Sequence, residues 1–168
     1  MTCWTLLIAA LGTGCGEASK PVVLPAGVSS DIAVLSLGAD TSELTQDQVT
    51  LLQRTLDWMD RDIINCLNKK GFNAVLMSSE DNTIGESNRH LLKISVTSHR
   101  MIPTSGRIWG GMMAGTDRLN THYDLVDANG KIVLSWDDTQ ASTKGGTYCA
   151  QTLNRNATNK IAAFLSGS

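Results

Sequence analysis

The strongest constraint on the fold lies between residues 45 and 71. Thr45-Gln46-Asp47-Gln48 has the form of a capping box, in which the Thr45 hydroxyl and the Gln48 amide satisfy backbone donors that a helix start leaves open. Behind it, Val49, Leu52, Leu56, Met59, Ile63 and Leu67 recur at steps of three and four, which places them on one helical face. Lys69 and Lys70 favour the negative end of that helix, and Gly71 suits the left-handed residue that closes it. A long helix with one apolar stripe must bury that stripe. The rest of the chain therefore has to supply a second layer.

Short apolar runs around the helix provide candidates for that layer. Residues 32–37 (IAVLSL) read as a buried strand that Gly38 ends, and residues 73–78 read as a second strand after the helix. Residues 80–88 form a polar loop. Leu92, Ile94, Val96 and Ser98 alternate with Lys93, Ser95, Thr97 and His99, the pattern of a half-buried strand. After a turn at residues 103–106, residues 119–126 and 131–136 form a hairpin around Asp127-Ala128-Asn129-Gly130, whose glycine supplies a positive φ. Cys149, Leu153, Ala157, Ile161 and Leu165 then share a face of a closing helix. The expected fold is α+β in the order β-α-β-β-β-β-α: a mostly antiparallel sheet of about five strands with two packed helices. With 168 residues the chain suits one such domain, expected at residues 31–168.

The N-terminus follows a different logic. Residues 4–11 are almost wholly apolar, and Gly12-Thr13-Gly14 places small side chains just before Cys15. The run is too short to span a bilayer and matches the apolar core of an export signal. A cysteine closing such a run resembles the lipobox of bacterial lipoproteins. In that family the thiol takes a diacylglycerol, the chain is cut before the cysteine, and the new N-terminus is acylated. Two departures stand out: no Lys or Arg precedes the apolar run, and Gly12 occupies the place where the family usually carries Leu. The resemblance implies a signal peptide over residues 1–14, lipidation at Cys15, and a flexible tether over residues 15–30, rich in Gly, Ser and Pro. Gly16 lacks the Asp that resembles an inner-membrane retention signal. The expected address is thus the outer membrane of the cell envelope, facing the periplasm.

The strand–helix–strand opening, the Gly-rich residues 109–115 and the run "YDLVDANGKIV" also resemble a bacterial lipoprotein family of unknown function. There a Gly-rich segment precedes a strand ending in an Asp-x-x-Gly-Lys-like turn. The resemblance covers about residues 31–165. Its members are similar in fold to the small α/β domains of the TolB N-terminus and the curli secretion channel. No catalytic residues come with it.

Candidate sites are few. Gly111-Met112-Met113-Ala114-Gly115 fits no phosphate-binding glycine pattern. Trp109, Met112 and Met113 either join the core or form an adaptable apolar surface for a partner. His122 and Asp124 lie two apart on a strand and point to one face, while His90 and His99 sit near strand ends. No His-x-x-x-His or C-x-x-C spacing supports a metal, and no G-x-S-x-G elbow supports a hydrolase. Asp57, Asp60, Arg61 and Asp62 are expected as solvated charge on the outer side of the first helix. Once Cys15 is lipidated and Cys3 removed, Cys66 and Cys149 remain. They meet as a disulfide if the two helices run antiparallel, and otherwise stay as two buried thiols. With a net charge of −2 and scattered Lys and Arg, the chain shows no nucleic-acid footprint. The expectation is a non-enzymatic, cofactor-free envelope lipoprotein: membrane-anchored, and docking or supporting a protein partner. The alternative is a subunit of an outer-membrane secretion or channel assembly, and a weaker one is a hydrolase of envelope polymers.

Overall fold

The computed structural model describes residues 21–79, 89–103, 108 and 115–167. Its elements are β1 (Asp31–Ala39), α1 (Gln46–Lys69), β2 (Asn73–Met77), β3 (His90–Arg100), β4 (Asp117–Val126), β5 (Ile132–Ser142) and α2 (Gly146–Ser166). The order matches the α+β pattern read from the sequence. At the start of α1, Thr45 Oγ1 accepts from Gln48 N–H and the Gln48 side chain accepts from Thr45 N–H, so the capping box forms. Lys70 caps the other end, and Gly71 follows at φ 94°.

The five strands make one sheet in the order β2-β1-β3-β4-β5. It is mixed rather than mostly antiparallel: β1 pairs in parallel with both β2 and β3, while β3–β4 and β4–β5 are antiparallel. Local periodicity sets strand positions but says nothing of their relative direction, which the connections decide. α1 returns the chain from β1 to a parallel neighbour, as such a pair requires. The strand β5 runs well past the expected residue 136. The register facing it continues down to Asp117↔Ser142, so pairing with β4 holds its last residues despite their polarity. At the hairpin, Asp127 N–H bonds to Lys131 O at 2.8 Å, Gly130 N–H bonds to Asp127 O at 3.0 Å, and Gly130 carries φ 79°.

Direction has a second consequence. Two antiparallel steps from β3 through β4 return β5 to the sense of β1, so the helices that follow β1 and β5 run the same way. Pairing between the helices confirms this. A Cβ on Gly146 would meet Thr55, while farther along Asn154 Nδ2 donates to Met59 O at 2.8 Å and Asp62 Oδ2 at 3.0 Å. Both helices lie on one face of the sheet. There Leu52, Met59, Ile63 and Leu67 meet Ile32, Val34, Leu92, Tyr123, Leu153 and Ile161 in the main core. The Tyr123 and Trp136 rings stack at 4.8 Å within it.

Asp62 departs from the expected solvated face of α1. It is buried at 6% exposure against α2, whereas Asp57 and Arg61 remain exposed. Burial pushes the carboxyls of Asp62 and Asp60 above the usual range, partly offset by hydrogen bonds to Asn154 and Ser36 respectively. The segment expected to be a tether also lies on the domain in its described part. Val22 N–H donates to Lys70 O at 2.9 Å, and Val22, Leu24 and Val28 pack against the core.

Candidate functional site

The sheet face opposite the helices divides in two. Towards β2 it is apolar, with Ala33, Leu35, Leu91, Val126 and Met77 in contact. Towards β5 it is polar and centres on His122. The sequence pairs His122 with Asp124 on one face, and the structure brings them together: Nε2 lies 3.2 Å from Asp124 Oδ1. Antiparallel pairing adds two residues that sequence spacing alone does not reach. Asp137, directly opposite His122 on β5, holds Nδ1 at 2.8 Å, and Ser135 Oγ lies 3.5 Å from Nε2. A signal for both existed in the hairpin turn. Extending its register one residue beyond the expected strand end sets His122 against Asp137.

Ser135, His122 and Asp137 have the outline of a nucleophile, base and orienting acid, but the chemistry does not follow. A base must offer an unprotonated Nε2 to the hydroxyl. Here a second carboxylate, Asp124, sits on that nitrogen closer than the serine. The Asp137 hydrogen bond and the nearby charge of Asp124 raise the imidazole above its ordinary 6.5. The cluster thus favours an imidazolium bridging two strands. Among the described residues no group of three or more His, Cys, Asp or Glu is arranged to hold a metal ion.

His90 and His99 lie elsewhere. Burial lowers His90 at the start of β3, and His99 Nε2 is 2.7 Å from Asp40 O near the other end. Trp109, Met112 and Met113 lie outside the described residues, as does Cys15.

Cys66 and Cys149 do not pair. Cys149 is a buried free thiol whose Sγ donates to Asp117 O at 3.6 Å, while Cys66 is disulfide-bonded but not to Cys149. The parallel helices explain why. Cys149 precedes the Asn154–Asp62 contact and Cys66 follows it, so about 13 Å of helical rise separates them. A disulfide needs Cα atoms roughly 4.4–6.8 Å apart. Burial, with the nearby Asp117, lifts the Cys149 thiol to about 11.

Two open clefts of about 320 Å³ lie at opposite ends of the sheet. One sits where α2 begins, between Arg54, Lys144 and Asp117. The other sits where α2 ends, between Arg89, His90, Asn129 and Phe164.

No family model matches the chain, and no curated protein sequence matches it. Solved structures do. A PelC dodecamer from Paraburkholderia phytofirmans superposes with a TM-score of 0.51 at 15% identity, over 80% of this chain and 90% of that one. A single-site variant of the same PelC dodecamer gives 0.52 at 16% identity over the same shares. At such identity the likeness establishes a shared fold.

Proposed function

We propose that this chain is a lipid-anchored, non-enzymatic protein of the cell envelope whose α+β domain docks or supports a protein partner at the periplasmic face of the outer membrane. The observation that carries the proposal is the apolar run of residues 4–11, closed by Gly12-Thr13-Gly14-Cys15 a few residues ahead of a folded domain. Binding rather than catalysis fits the His122 cluster, where Asp124 occupies the nitrogen a base would use. Metabolic labelling with a fatty acid, followed by intact-mass measurement of membrane-extracted protein, tests the anchor. A diacylglyceryl-modified chain beginning at Cys15, lost in Cys15→Ser together with membrane association, is the expected result. An unmodified Cys15 in a full-length membrane-free chain overturns it. Crosslinking in the native cell then tests for the protein partner.

A second reading, a subunit of an envelope secretion or channel assembly, is favoured by one finding. Two PelC structures that share this fold are dodecamers. Light scattering of the detergent-extracted protein separates the readings: a closed ring of copies supports assembly, and a monomer supports the docking domain.

A further inference from the structure

The described N-terminal segment enters the domain at one end of the sheet. Pro21 packs beside Gly71, and Val22 N–H bonds to Lys70 O just past α1. The first residues of β1, β2 and β3 lie at this end, paired as Asp31↔Asn73 and Ile32↔His90. The end of β4 and the start of β5 join them there, paired as Leu91↔Val126 and Val126↔Ile132. The end of α2 lines the adjoining cleft through Phe164.

The inference rests on the anchor reading above, because a lipid on Cys15 limits which end can reach a membrane. Six residues from Cys15 to Pro21 span at most about 21 Å. β3, eleven residues long, puts the opposite end of the sheet roughly 33 Å farther away. The chemistry of the near end suits a bilayer surface. Lys69, Lys70, Arg89 and Lys131 gather there, on a chain whose net charge is −2. Among the described residues, the acids at the strand ends beside them bond to neighbours: Asp31 accepts from Asn73 Nδ2 at 2.7 Å, and Asp127 accepts from Asn129 and Lys131 N–H at 2.9 Å each. Val23, Ile132 and Phe164 stand out from the same end at 87%, 53% and 42% exposure. Cations around protruding apolar side chains match a boundary of headgroups and acyl chains. The helix ends there carry partial negative charge, which Lys69 and Lys70 offset at α1.

The geometry points to this end of the domain as a membrane-contact surface, in which Lys69, Lys70, Arg89 and Lys131 meet phospholipid headgroups while Ile132 and Phe164 reach the acyl boundary. The cleft beside Lys144, at the opposite end of the sheet, then faces away from the bilayer.

The test uses the lipidated full chain in vesicles of phosphatidylethanolamine and phosphatidylglycerol containing lipids brominated on their acyl chains. Phe164→Trp and Ile132→Trp report from the proposed surface, and Tyr148→Trp, at the exposed start of α2, reports from the far end. Emission of the added tryptophan is expected to be quenched in the first two and unchanged in the third. Lys70→Glu with Lys131→Glu is expected to reduce that quenching at low salt, with circular dichroism confirming an intact fold. Quenching at Tyr148→Trp, or at none of the three in protein whose mass confirms acylation, overturns the surface while the anchor stands. A mass showing unmodified Cys15 overturns the anchor and this surface with it.

Discussion

The contact between Asp62 and Asn154 offers the sharpest test of how the two helices are joined. Asn154 Nδ2 donates to the Asp62 carboxylate and to Met59 O, and both side chains are buried. Replacing Asn154 by the isosteric Leu removes the amide hydrogen bond to a charged group and leaves that oxygen only the long Cys66 Sγ contact at 3.7 Å. Losses of a hydrogen bond to a charged group run to about 1.5–3 kcal/mol. Asp62→Leu takes away the charge instead, while Asn154 keeps its bond to Met59 O, so the cost is about 1 kcal/mol or less. The double variant buries neither the stranded charge nor its donor. It should recover roughly 1–2 kcal/mol relative to Asn154→Leu, or about 2–8 °C in melting temperature for a domain of this size. Urea unfolding followed by far-ultraviolet circular dichroism measures all four corners of this cycle. Single losses that add in the double variant would refute the coupling. Acidity gives an independent check. Burial raises the folded-state value of Asp62 above its ordinary 3.8, so its ionised form opposes folding. Its contribution is most favourable below 3.8 and declines as pH rises through the raised folded value. Asp62→Asn, which keeps an acceptor for Asn154, should gain stability over the native chain across that rise. Parallel stability–pH curves would refute this account.

Three further outcomes follow from the same geometry. His122 should titrate above 6.5 in side-chain NMR and fall back towards it in Asp137→Asn; its cross-strand bridge holds fully below 6.5 and fades as pH passes the raised folded value. A Cβ on Gly146 would lie 2.8 Å from Thr55 Oγ1 and 3.0 Å from Met101 Sδ, so Gly146→Ala should cost about 1–3 kcal/mol in thermal unfolding, with part of the loss recovered on adding Thr55→Ala. The buried Cys149 thiol should resist alkylation in the native protein and react on unfolding. Differential alkylation with peptide mapping checks this, and Cys149 labelled in the native protein refutes it.

What the sequence made legible is whatever depends on neighbours along the chain. The α1 capping box, the three-and-four stripe from Leu52 to Leu67, the alternation in β3 and the glycine at the hairpin each follow from local geometry, and each is present. Strand direction is not local. Nothing in residues 31–39 or 90–100 signals that β1 and β3 run in parallel, because the same apolar pattern serves either orientation. Of the two options for Cys66 and Cys149, the bridge rested on antiparallel helices and fell with them, and the pair of free thiols fails too, because Cys66 is disulfide-bonded. Asp62 was hidden for a similar reason. It lies beside charged neighbours on the helix, and what buries it is Asn154, far away in the chain. His122 and Asp124 were legible from strand alternation, whereas Asp137 required the hairpin register to be carried past Trp136.

One topological fact, that β5 runs in the sense of β1, ties these results together. It aligns the helices, which separates the two cysteines and sets Asn154 level with Asp62. It also brings the ends of both helices to the edge of the sheet where Pro21 enters and the β4–β5 hairpin turns. Had α2 run the other way, its Gly145–Gly146 start would stand at that edge, and Phe164 would lie at the opposite end. The cations of α1 and the hairpin would then flank a helix start with its partial positive charge, and the edge would lack its exposed aromatic ring. The orientation that defeats the disulfide is therefore the one that assembles the proposed membrane-contact surface.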